Sequence, residues 1–349
     1  MNFTEFQDWR ATCLQQSPGV LDCGETNLYR SLSDRRVSPA DIGEERLYRC
    51  DLSRLWLARF GWSEDRSRQA LVSRGVRHAL GLIFRQLATD SAKLWVPQDV
   101  YPVYLSVAEA HGLNPATYPT LPNLALPPLG CSADEVEQDE YLLICVPLKP
   151  LGRHLTPVEC AHLLQWLRAS PRRCLLLDCV YDLGAPLHES TRTLEATGQA
   201  VILHSLTKGW LWPETFGIAL FPEDLQARFE MAFRNDSPSQ AQLAQARACL
   251  SEAAQRPEEI ASALKDRAER LVQRLPSAVL EAGVLPWDAS TMDGRYMFVV
   301  DMPASTLLQA HGVLGIPASV FGSTGWQGSI LTSLAGIFNA SHTEHTHVA

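Results

Sequence analysis

Apolar runs of four to eight residues recur along this chain, separated by stretches whose apolar positions repeat every three or four residues. The short runs are Lys93–Val96, Tyr141–Val146, Cys174–Tyr181, Val201–Ser205 and Phe216–Phe221. Continuous rather than alternating apolarity predicts strands buried on both faces. Between them, Val76, Leu80, Ile83, Phe84 and Leu87 keep one-face helical spacing after Ser73-Arg74-Gly75. A second helix is predicted from about Tyr101 to His111. Thr156-Pro157-Val158-Glu159 is a capping box with proline at the first helical position, and it starts a helix that runs to about Ala169. Strands alternating with helices predict an α/β fold, a mostly parallel sheet covered on both faces. Such sheets bind ligands beyond the carboxyl ends of their strands.

From Pro222 to about Leu275 the pattern turns helical and polar, without a strand. Two further strand-like runs, Tyr296–Val300 and Ser329–Thr332, flank a glycine-containing stretch and predict a small α+β domain. The predicted division is a large domain over 49–238, linker helices and a small C-terminal domain over 239–340, and a tail over 341–349. The irregular, charged residues 1–48 are expected to pack on the small domain or on a partner subunit. His342, His345 and His347 in the tail read as a solvated terminus, so no metal is expected.

Composition narrows the class without naming it. With 349 residues, 46% apolar and 20% charged, the chain suits a two-domain globular protein. Its net charge of −9 and lack of any long basic run argue against nucleic acid. No apolar run approaches the roughly 20 residues that a membrane span needs, and Met1–Phe6 lacks the features of a signal peptide. The nine cysteines are scattered without CxxC pairs, which predicts reduced thiols and a cytoplasmic protein.

The chemistry concentrates in two runs. His204-Ser205-Leu206-Thr207-Lys208 places one lysine just past a strand and before the apolar Gly209–Pro213. About thirty residues earlier, the strand over 174–181 carries Asp178 and Tyr181 near its end. A lysine partly removed from water becomes a nucleophilic amine. An amine, a buried acid and a phenol gathered at strand ends are what pyridoxal 5'-phosphate (PLP) requires. The amine forms the Schiff base and the acid keeps the pyridine nitrogen protonated.

Four motifs in order, Leu94–Pro97 to Tyr101–Tyr104, Asp178–Tyr181, Ser205–Lys208 and Ile316–Gly322, resemble the fold-type I PLP enzymes of the aspartate aminotransferase (class I/II) superfamily over residues 50–335. The resemblance implies that Lys208 is the Schiff-base lysine and the proton carrier, and that Asp178 pairs with the pyridine nitrogen. It also implies that Tyr181 bonds the ring's phenolic oxygen and that Tyr101 stacks on the ring. Ser205 and the backbone around Arg74, Gly75 and Val76 would hold the phosphate. A homodimer with a small-molecule amino acid or amine substrate is implied as well. Transamination is the default reaction; oxidase, hydroxylase, lyase or cyclase chemistry and a non-catalytic homologue are the alternatives.

Three positions depart from the family pattern. Lys149 stands where an asparagine would touch the ring oxygen; a cation there stabilises a phenolate and repels a protonated Lys208. Thr215 or Phe216 replaces the phosphate arginine, leaving Arg74 or Arg77 to supply that charge. Leu331 replaces the arginine that clamps a substrate carboxylate. Either Arg295, or Arg30, Arg35 or Arg36 near the N-terminus, takes over that clamp, or the substrate lacks a free α-carboxylate. Gly24-Glu25-Thr26-Asn27 and Trp212-Pro213 are loosely similar to PLP-dependent arginine oxidases, which makes Gly24 a further substrate-site candidate.

Overall fold

Seven strands form the central sheet, and its three middle strands owe their place to their composition. The computed structural model describes residues 1–17, 19–32, 49–100, 102–127, 138–211, 216–287, 296–323 and 325–334. In chain order the first elements are α1 (Phe3–Gln16), β1 (Leu21–Asp22), α2 (Leu28–Ser31), α3 (Arg49–Phe60), β2 (Ala70–Ser73) and α4 (Val76–Thr89). Next come β3 (Lys93–Pro97), α5 (Val103–Ala110), β4 (Ala116–Tyr118), β5 (Glu140–Cys145), α6 (Pro157–Arg168) and β6 (Arg173–Asp178). They are followed by α7 (Glu189–Glu195), β7 (Ala200–Ser205), α8 (Leu206–Gly209) and β8 (Gly217–Leu220).

The sheet order is β2-β8-β7-β6-β5-β3-β4. All neighbours are parallel except β8, which runs antiparallel to both β2 and β7. Every residue of β5, β6 and β7 is buried, as expected for strands covered on both faces. Alternate side chains serve opposite layers. Leu142, Ile144, Leu175, Leu177 and Ile202 join one core, with Trp56 of α3 and Leu163 of α6. Leu143, Leu176, Val201 and Leu203 join the other, with Leu80 of α4 and Phe229. Behind β7, Trp56 donates its indole N–H to Nδ1 of His204 at 3.1 Å, which fastens α3 to the strand.

The sheet adjusts one sequence expectation and adds a strand that the hydrophobic pattern did not predict. The run over 174–181 is strand only as far as Asp178, after which the chain leaves the sheet and carries Tyr181 on a turn. The short strand Ala70–Ser73 closes the far edge, where Ser73 pairs with Gly217 and Gly217 with Ser205. The three therefore lie side by side at one edge. A Cβ on Gly217 would fall 2.8 Å from Gly75 Cα and 2.8 Å from the His204 carbonyl oxygen, so glycine there lets the start of α4 approach the end of β7.

The remaining helices are α9 (Glu223–Asn235), α10 (Gln240–Ser251), α11 (Arg256–Arg274) and α12 (Ser277–Glu281). The last elements are β9 (Met297–Val300), α13 (Ala304–His311), β10 (Val313–Leu314), β11 (Ile316–Pro317) and β12 (Ser329–Thr332). β11, β12 and β9 make an antiparallel sheet. Ala268 and Leu271 of α11, Phe298, Val300 and Leu331 form its own core. The N-terminal segment is built into this end of the molecule, since β1 pairs in parallel with β10. Arg10 grips Asp22 through two hydrogen bonds of 2.9 and 2.5 Å.

No helix among the described residues is long and apolar enough to cross a membrane.

Candidate active site

The carboxyl ends of β6 and β7, the start of α4 and the small sheet enclose a cavity of about 1090 Å³. Lys208, Asp178, Tyr181, Ser205, Arg74, Gly75, Val76 and Lys149 all line it. Residues far apart in sequence thus meet because their strands end together.

Local packing aims Lys208. Ser205 is extended and caps α8, accepting the Thr207 N–H at 3.4 Å. Leu206 donates its N–H to the Phe216 carbonyl at 3.1 Å. Trp210 is buried and donates its indole N–H to the carbonyls of Cys249 and Ala253 at 2.8 and 2.9 Å. With Leu206, Gly209 and Trp210 buried, the half-buried Lys208 is left on the cavity side, its Nζ 5.2 Å from the Tyr181 ring centroid.

Asp178 is buried, and each of its oxygens has a partner. Tyr104 donates its hydroxyl to Oδ2 at 2.5 Å, and the Val180 N–H donates to Oδ1 at 3.1 Å. Burial and the adjacent Asp178 push the Tyr104 phenol well above the usual tyrosine value, so it stays a donor. Cys145 Sγ lies 3.0 Å from the same hydroxyl, and burial pushes its thiol up to about 12. Sequence reading missed Tyr104. It closes the Tyr101–Tyr104 motif and lies in the first turn of α5. Tyr101 itself lies outside the described residues.

Tyr181 lies between two lysines. Lys149 Nζ is 2.7 Å from the ring centroid, a cation–π contact. Burial alone would raise the phenol's pKa, but the ammonium groups of Lys208 and then Lys149 outweigh it and bring the phenol down to about 8. Tyr296 packs against Tyr181 with ring centroids 5.6 Å apart. The two hydroxyls interact, although Tyr296 Oη, buried, makes no hydrogen bond of regular geometry. In the ligand-free protein one phenol is expected to ionise near pH 8, ahead of the usual tyrosine value of about 10. Ultraviolet difference titration should show that step, Tyr181→Phe should abolish it, and Lys149→Met should move it upward. Because the folded-state value lies below the unfolded one, the ionisation adds stability as pH rises from about 8 toward 10 and contributes nothing below that window.

The start of α4 forms another wall. Gly75 sits at φ +106° as its N-cap, with no side-chain cap on the helix. The first N–H groups of α4 are therefore open to an anion. Arg74 does not point there unopposed: it donates to Asp236 Oδ1 at 2.6 Å, while His78 Nε2 lies 3.0 Å from Oδ2. The hydrogen bond from His78, then Arg74, holds the Asp236 carboxyl below its ordinary range. Arg77 is exposed and also lines the cavity.

The other sequence candidates fall elsewhere. Gly24 is buried beneath α1, where a Cβ would meet Phe6 and Arg10, and its N–H donates to Asp22 at 2.9 Å. Its neighbours Thr26 and Asn27 line the cavity instead. Leu331 is buried in the small-domain core, and Phe216 is buried beside β7. Arg295, Arg35, Arg36, Trp212, Pro213, Thr215 and the histidines of the tail lie outside the described residues, as does the side chain of Arg30. Among the described residues no cluster of three or more His, Cys, Asp or Glu could hold a metal ion.

The family model of aminotransferase class I and II matches residues 46–337. The chain belongs to that family. A protein of Escherichia coli with an identified methionine aminotransferase function shares its fold, with a TM-score of 0.67 at 17% identity over 94% of this chain and 92% of that one. The L,L-diaminopimelate aminotransferase of Chlamydomonas reinhardtii gives 0.66 at 16% identity over 95% and 91%. A PLP-bound C-S lyase of Staphylococcus hominis gives 0.65 at 13% identity over 85% and 80%. At these identities the likeness establishes the family's α/β fold. No curated protein matches the chain.

Proposed function

We propose that this aminotransferase-family chain binds PLP through Lys208 and transfers the amino group of an amino acid or amine. One observation carries the reading: Lys208, Asp178 and Tyr181 converge on one cavity beside an uncapped helix start. These residues fit the cofactor. Lys208 would hold its aldehyde carbon, Asp178 its pyridine nitrogen, and Tyr181 and Lys149 its phenolic oxygen. Ser205 and the open N–H groups at Gly75 and Val76 would hold its phosphate, with Arg74 or Arg77 supplying positive charge. When bound, PLP supplies an electron-withdrawing ring that stabilises charge on the carbon next to the amine.

The chain's own groups supply the rest. Lys208 carries the proton at that carbon, which needs an amine within reach of it. Tyr104 fixes the Asp178 carboxylate in place through its 2.5 Å hydrogen bond. Tyr181, set between two ammonium groups, stabilises a negative oxygen beside it.

A cytoplasmic homodimer is part of the same proposal. The seven cysteines described as free are all buried thiols, which suits a reducing compartment. The dimer rests on the family resemblance.

The reading is tested by incubating the purified protein with a panel of L-amino acids and a 2-oxo acid acceptor. A new amino acid made from the acceptor is the expected product. Consumption of the amino acid with release of ammonia and no aminated acceptor would point to another PLP reaction. A protein that binds no PLP after reconstitution contradicts the proposal outright.

A further inference from the structure

We infer that Tyr296 is a positioning residue for Tyr181: its hydroxyl donates to the Tyr181 oxygen and so ties the small three-stranded sheet to the cavity wall that carries Lys208. The inference rests on the reading of Tyr181 as a cofactor contact only in its second test; the phenol pair itself belongs to the chain.

The two tyrosines reach one another from different sheets. Tyr296 immediately precedes β9, and its carbonyl accepts the Ser333 N–H at 3.1 Å, which carries the β9–β12 pairing through it. Tyr181 stands on the turn after β6, where the Asp182 N–H donates to the Cys179 carbonyl at 2.9 Å. Both line the cavity, with ring centroids 5.6 Å apart and ring planes tilted by 32°. Tyr296 is only 4% exposed. Phenylalanine would fill the same space without burying a hydroxyl, and a buried hydroxyl without a partner is destabilising.

The donors and acceptors of this corner assign a partner to that hydroxyl. Lys149 and Lys208, whose Nζ atoms lie 2.7 and 5.2 Å from the Tyr181 ring centroid, offer only donors when charged. Both oxygens of Asp178 already accept, from Tyr104 and from the Val180 N–H. The Tyr181 oxygen is the acceptor that interacts with the Tyr296 hydroxyl. Burial, then Tyr181, pushes the Tyr296 phenol well above its usual value, so it keeps its proton and donates. Burial opposes the ionisation of Tyr181, but Lys208 on α8, Lys149 on the loop after β5 and then Tyr296 outweigh it. Asp178 and Cys145 act on this corner through Lys149. A phenolate is a stronger acceptor than a phenol, so the pair tightens as Tyr181 ionises.

Tyr296→Phe keeps the ring and removes only the hydroxyl. In the ligand-free protein, ultraviolet difference titration should show the Tyr181 step moved upward by about one to two pH units, the worth of one hydrogen bond to a charged group. The thermal melt at neutral pH should stay close to wild type, since the ring packing is kept. In the PLP-loaded protein, the pH midpoint of the visible band should differ between wild type and Tyr296→Phe. That difference should vanish when both proteins also carry Tyr181→Phe.

A titration step left where it was overturns the inference, whatever the melt does, because a merely structural tyrosine would alter the melt alone. A step lost in Tyr296→Phe and kept in Tyr181→Phe makes Tyr296 the ionising group and overturns it as well. So does a visible band with the same midpoint in wild type and Tyr296→Phe. If Tyr296→Phe does not fold, Tyr296→Met, which also fills the space without a hydroxyl, is read by the same criteria. A wild-type protein that binds no PLP contradicts the proposed function separately. The ligand-free titration still decides the inference in that case: a step moved upward supports it, and an unmoved step overturns it.

Discussion

Lys208→Ala is expected to purify as a folded, colourless protein whose turnover is about 10²- to 10⁴-fold below wild type, the loss associated with removing a positioned proton carrier. The fold should survive because the turn around Lys208 is held by its buried neighbours. Leu206, Gly209 and Trp210 are buried, and the Trp210 indole is fixed on two carbonyls of the helical region that follows. Stability should therefore change by no more than about 1 kcal/mol. Removing one of two amines that share a phenol also relieves like-charge repulsion with Lys149. Lys208→Arg is expected to be as inactive as the alanine variant, because a guanidinium stays protonated and offers no free amine. Circular dichroism separates loss of the amine from loss of the fold. A coloured, active Lys208→Ala protein would mean that a different amine holds the cofactor.

Asp178→Asn is the second substitution with a large expected effect. The change preserves shape: the amide oxygen still accepts from Tyr104 or from the Val180 N–H, so folding should be close to wild type. What is lost is the negative charge in a buried site. Turnover should fall about 10²- to 10³-fold, the range seen when one preorganised electrostatic partner is removed. Cofactor affinity should fall with it. Asp178→Leu should also destabilise the protein by about 1–3 kcal/mol, because Tyr104 Oη would be left buried without its acceptor. Tyr104→Phe provides the intermediate case. It keeps the carboxylate and removes one of its two tethers, so it should lower turnover by less than Asp178→Asn. Thermal melts and dissociation constants for PLP, taken on all three variants, separate the electrostatic from the structural contribution.

Much of this site could be read from the chain itself because its key residues lie at the ends of strongly patterned runs. Continuous burial of β5, β6 and β7 made those strands visible, and their carboxyl ends put Asp178 near Ser205 and Lys208. The direction of β8 was not visible, because four consecutive buried residues look alike in a parallel and an antiparallel neighbour. The Asp178–Tyr104 pair joins positions 74 residues apart, and only the tertiary structure brings them together. The same holds for Arg74 and Asp236, separated by 162 residues. Sequence alone offered Arg74 to a phosphate, whereas the fold gives it a carboxylate partner. Leu331 marks another limit. A position aligned with a family arginine does not by itself say which way its side chain faces; here it belongs to the small-domain core. Lys149 was recognisable as a departure from the family pattern, but only the coordinates set it against the Tyr181 ring.

The cofactor assignment is tested most directly by reducing the PLP-loaded wild-type protein with borohydride, digesting it and locating the modified lysine by mass spectrometry. The expected result is a single peptide with the reduced cofactor on Lys208. Modification of Lys149 in its place, or of neither lysine, would contradict the account.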